Sequence, residues 1–89
     1  MVRWICFLSG RVQGVGMRHS VHRLANQLPI TGLVENLDDG RVRIVAEGLP
    51  AILEELIESI RAYAPGAVRS IERHVAPATG EFPNFTIKR

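Results

Sequence analysis

Thr31-Gly32-Leu33-Val34-Glu35-Asn36-Leu37-Asp38-Asp39-Gly40-Arg41-Val42-Arg43-Ile44-Val45-Ala46-Glu47-Gly48 is the stretch on which the fold turns. An Asp-Gly step between two apolar runs is a strong local hairpin signal, because both residue types tolerate positive φ. Two short strands, Thr31–Leu37 and Arg41–Glu47, are therefore expected around Asp38-Asp39-Gly40. In the second, Val42, Ile44 and Ala46 alternate with Arg41, Arg43 and Glu47, as in a half-buried strand.

On either side of this hairpin the apolar period changes to that of a helix. From Met17 to Leu28, the residues Val21, Leu24, Ala25 and Leu28 form one stripe, with Arg18, His22, Arg23 and Asn26 mostly off it. Pro29 ends that helix. Gly48-Leu49-Pro50 opens a second one, Ile52, Leu53, Leu56, Ile57 and Ile60 give it a wide apolar face, and Pro65-Gly66 closes it. Three further strands complete the chain. Val2–Ser9 carries five successive apolar residues, Trp4 to Leu8, which suggests an interior strand covered on both faces. Ala67–Val75 and Phe85–Lys88 follow, separated by a surface connection over Ala76–Asn84. The order β-α-β-β-α-β with a short extra C-terminal strand predicts an α+β, ferredoxin-like sandwich: one antiparallel sheet with two helices on one face, in a single domain over residues 1–89.

Composition narrows the function. Hydrophobic residues at 46% and charged residues at 22% are globular values, which excludes disorder and fibrous repeats. A net charge of +2 is too small for a phosphate-backbone binder, which needs several basic groups on one face, but sufficient for a small anion. Cys6 is the only cysteine, so neither a disulfide framework nor a thiolate metal site is expected. No apolar run approaches the ~20 residues of a membrane span. Met1-Val2-Arg3-Trp4 leads straight into a strand pattern without room for a signal peptide, so a cytoplasmic chain is expected.

The strand-to-helix loop Gly10-Arg11-Val12-Gln13-Gly14-Val15-Gly16-Met17-Arg18 is the candidate site. The first N–H groups of a helix lack partners and carry partial positive charge. Glycines let successive N–H groups converge on one centre, and an arginine in the first turn adds a planar fork of donors for two phosphate oxygens. Neither nucleotide motif fits: Gly14 is followed by Val15 rather than Lys-Ser/Thr, and His19 stands where a third dinucleotide glycine belongs. Taken alone, Gly14-Val15-Gly16 fits a simple tight turn at least as well as an anion nest.

The nine-residue pattern decides between them. Gly-Arg-Val-Gln-Gly-Val-Gly-Met-Arg resembles the acylphosphatase signature, with Met17 where Phe is usual, and Asn36 just before the Asp-Gly turn matches that family's second motif. The resemblance runs from about Arg3 to Phe85, with Leu33 where Trp is common. It weakens after Tyr63, where Ala64-Pro65-Gly66 replaces the frequent Gly-Pro-Pro.

The resemblance implies hydrolysis of acyl phosphates to a carboxylate and inorganic phosphate. Arg18 and Asn36 would be the catalytic residues. The phosphoryl group would be held by Arg18 and the backbone N–H groups of Gln13, Gly14, Val15, Gly16 and Met17, while Asn36 orients an in-line water. No metal, other cofactor or covalent intermediate is required. The expected partners are the small-molecule acyl phosphate and product phosphate, without nucleic acid or membrane, on a monomer.

Other residues read more plainly. Asn36 on its own would be a turn former. His19, in a position usually aromatic in the family, reads as a packing or rim residue, His22 and Arg23 as solvated helix residues, and Arg11 as a solvated loop residue. His74 shares no ligand spacing with the other histidines. Cys6 reads as an inert buried thiol, and Trp4, Phe7 and Phe85 as core or sheet-edge residues. Three other functions fit the sequence less well. A carbamoyl-phosphate module, as in hydrogenase maturation factors, belongs to much longer chains with zinc-finger motifs. An RNA-recognition domain shares the strand order but stacks bases on aromatics, and Arg41–Ala46 has none. An inactive interaction protein would not need both Arg18 and Asn36.

Overall fold

The computed structural model describes all residues, Met1 to Arg89. The elements are β1 (Val2–Arg11), α1 (Met17–Ala25), β2 (Thr31–Asn36), β3 (Val42–Gly48), α2 (Pro50–Tyr63), β4 (Ala67–Pro77) and β5 (Phe85–Lys88). They form one sheet in the order β4-β1-β3-β2-β5 with the two expected helices, a ferredoxin-like α+β arrangement. The first four strands pair antiparallel, whereas β5 adds to the edge of β2 in parallel, so the complete sheet is mixed.

Cross-strand rows explain the core. Trp4 lies opposite Ala46, which lies opposite Gly32, and Gly32 pairs with Phe85; Cys6, Ile44 and Val34 form the next row, and Leu8, Val42 and Asn36 the last. Because successive side chains point to opposite faces, all three rows share one face. Their apolar members join Met17, Val21, Leu24 and Ala25 of α1 and Leu53, Leu56 and Ile60 of α2 in a single buried cluster. Asn36 is the polar end of this otherwise apolar face, next to the start of α1.

Three expectations need correction. β1 is interior in strand order, but it is not buried on both faces: Trp4, Cys6 and Leu8 are buried while Arg3, Ile5 and Phe7 are only half-buried. The open face is covered by long side chains rather than by a second layer. The Arg41 guanidinium lies over the Phe7 ring at 4.5 Å, and His74 meets that ring edge-on. The first helix also ends earlier, at Ala25 rather than Leu28. The N–H groups of Gln27 and Leu28 donate to the carbonyls of Leu24 and Ala25, winding the chain into a narrower three-residue turn ahead of Pro29. β4 runs on to Pro77, two residues beyond its expected end.

Candidate active site

The loop after β1 is anchored from below by Val12, which is buried in the core, and by Met17, which is buried in the first turn of α1. Between them Gly16 is the N-cap of α1 with φ 82° and ψ 20°, a left-handed conformation that disfavours any residue with a Cβ. No side chain caps this helix start and no acidic residue sits in its first turn. The orphan N–H groups therefore stay available for a bound anion.

Arg18 follows, half-exposed over a cavity of about 310 Å³. Its only hydrogen bond is a long one, from Nη1 to the Lys88 carbonyl at 3.5 Å, which leaves most of the guanidinium fork unengaged. Asn36 lines the same cavity, and its Oδ1 is buried without a hydrogen-bond partner. An unsatisfied buried acceptor is costly in a stable fold, which singles Asn36 out among the residues lining the cavity. Gln13 faces the cavity as well, yet its side chain is already committed: Nε2 donates to the carbonyls of Leu37 at 2.8 Å and Arg41 at 3.0 Å.

The lining holds Arg18, Arg89 and His19 but no acidic side chain, so its side-chain charge suits an anion. Loop residues Gln13, Gly14, Gly16 and Met17 border it. Val15 does not; its side chain packs against the core beside Gly66. His19 is exposed at the rim, while Arg11 lies outside, at the end of β1. Residue-by-residue reading missed Ile87 and Arg89, which reach the cavity through the parallel docking of β5 on β2. No local pattern announces that pairing.

Elsewhere, no group of three or more His, Cys, Asp or Glu residues is placed to hold a metal ion. Burial pushes the Cys6 thiol up to about 11, outweighing the opposing effect of Arg73. It is no candidate nucleophile. No helix is long and apolar enough to cross a membrane.

A family model described as Acylphosphatase matches residues 4–87, nearly the whole chain. The chain belongs to the acylphosphatase family. It is accordingly a hydrolase acting on acyl phosphates. It is 46% identical over 87 residues to the acylphosphatase of Marinobacter nauticus, covering 93% of this chain and 91% of that one. The crystal structure of acylphosphatase from Bacillus subtilis superimposes with a TM-score of 0.93 at 33% identity, covering all of both chains. The same fold occurs as a segment of T. kodakarensis HypF, with a TM-score of 0.85 and 33% identity, where it covers all of this chain but 12% of that one. The acylphosphatase loop and Asn36 thus stand on the family's fold.

Proposed function

We propose that this acylphosphatase binds the phosphoryl group of its substrate with Arg18 and the backbone N–H groups of Gln13 to Arg18, and that Asn36 orients the attacking water. The observation that carries the reading is the buried, partnerless Oδ1 of Asn36 beside the same cavity as Arg18. An amide oxygen accepts a hydrogen bond from water, which turns a water lone pair toward the bound phosphorus. The water oxygen then bonds to phosphorus as the bond to the acyl oxygen breaks. The carboxylate leaves with that electron pair, and the water's protons remain with the phosphate. A carboxylate is a good leaving group, so positioning and charge stabilisation suffice without a general acid. The cavity accordingly needs no titrating residue of its own.

The same reading has a cytoplasmic monomer acting on a free small molecule, with neither nucleic acid nor membrane involved. The net charge of +2 and the lack of any aromatic residue in β3 speak against a nucleic-acid partner. The test is phosphate release from benzoyl phosphate in the presence of a chelator. Wild type should be unaffected by chelation, and Arg18→Ala should lose on the order of 10³-fold or more in rate, by analogy with other phosphate-gripping arginines. Asn36→Ala should fall by a similar factor, to a low residual rate, while folded. Near wild-type turnover by either variant would overturn the assignment.

A further inference from the structure

The geometry points to Gln13 as a positioning residue, whose side-chain amide holds the phosphate loop at a fixed distance from Asn36. The need for such a link follows from strand order. The loop follows β1 and Asn36 ends β2, but β3 lies between those strands, so two interstrand spacings of about 4.8 Å each separate them. No ladder hydrogen bond joins β1 to β2, and beyond their ends each could shift relative to the other.

The Gln13 amide spans this gap. Its Nε2 donates to the carbonyl of Leu37, the residue directly after Asn36, and to that of Arg41, across the turn. Both acceptors also close the hairpin: Leu37 N–H donates to Arg41 O at 2.8 Å and Gly40 N–H to Leu37 O at 3.2 Å. Two facing carbonyls require the nitrogen of the amide rather than its oxygen. Since both amide hydrogens are used, the nitrogen has none left for a phosphoryl oxygen. Gln13 therefore contributes its backbone N–H to substrate and its side chain to alignment. In-line attack is sensitive to such alignment, because a displacement near 1 Å costs roughly 100-fold.

This assignment rests on the reading of Asn36 as the water-orienting residue, and the experiment separates the two. Gln13→Met keeps length and removes the donor. It is expected to lower kcat for benzoyl phosphate by roughly 10- to 100-fold while inhibition by inorganic phosphate changes less than about threefold. In an Asn36→Ala background the same change should cost less than about twofold, because the residue it aligns is gone. Unchanged kcat in Gln13→Met beside a disabled Asn36→Ala overturns the positioning role alone, as does an effect equally large in both backgrounds. Full kcat in Asn36→Ala overturns the reading beneath it, and the positioning role with it. A second measurement needs no variant: the Gln13 side-chain amide protons should exchange slowly with solvent in the wild-type protein with and without phosphate. Exchange as fast as that of an exposed glutamine overturns the link.

Discussion

Arg3 and Glu47 are paired across the β1–β3 ladder on the open face of the sheet, with Nε 2.8 Å from Oε2. The same carboxylate accepts backbone N–H groups from Thr79 and Gly80, both at 2.9 Å, and the Thr79 hydroxyl at 3.0 Å. One buried charge thereby fastens the connection between β4 and β5.

Burial alone would raise the Glu47 carboxyl, but the Thr79 and Gly80 N–H groups and Arg3 overcome it and hold it at about 2, against an ordinary 4.5. A carboxyl depressed on folding contributes stability above its unfolded value and loses it as pH falls through the folded one. Urea midpoints should therefore decline between pH 4.5 and 2. Glu81, lowered by its hydrogen bond from Arg3, and Asp39, lowered by the Arg41 backbone N–H, act in the same direction. Glu47→Gln should cost roughly 1–3 kcal/mol at pH 7 and flatten the decline. An equally steep wild-type and variant profile would contradict this.

Gly16→Ala tests the helix start. A Cβ there meets nothing within 4 Å, so the cost is backbone strain alone, about 1–2 kcal/mol. The variant should fold, with a lower urea midpoint and weaker inhibition by phosphate. Gly16→Asn, whose side chain tolerates the left-handed region, should recover part of both. A neutral Gly16→Ala would show that the loop does not hold this conformation in solution.

Asn36→Asp should differ from Asn36→Ala in a telling way. The cavity is lined by no acidic side chain, and an aspartate would set a negative charge against the phosphoryl group. Both variants should be reduced to a low residual rate. Only the aspartate should raise the inhibition constant for phosphate, by about tenfold or more, the equivalent of about 1.4 kcal/mol.

Cys6 should be silent toward thiol reagents in the folded protein at pH 8. It is 1% exposed and its thiol is held near 11 by burial. Labelling should become fast only in denaturant, with a rate that tracks unfolding. Rapid labelling without denaturant would refute the buried assignment.

The local parts of this protein were legible in its sequence. Loop, hairpin and α2 each fall within a short window, where glycine placement, an Asp-Gly step and apolar period act directly on the backbone. Arg18 and Asn36 stand out only through the resemblance of loop and hairpin to the acylphosphatase motifs, since Asn36 on its own reads as a turn former. β1 misled because an apolar run says nothing about what covers it, and here the covers of Phe7 are Arg41 and His74. The Gln13 link was hidden because its acceptors are backbone carbonyls, which every residue has. Ile87 and Arg89 were hidden because parallel pairing of β5 leaves no mark on either partner strand.

That parallel edge strand also sets an order of events. Residues at the end of β5 supply one wall of the cavity, while the loop and Asn36 belong to the first half of the chain. The Gly10–Arg18 loop and the hairpin precede Phe85–Lys88 in the chain, so the cavity gains its last wall only once β5 has docked on β2. Activity is therefore expected to report on the docking of that strand rather than on collapse alone.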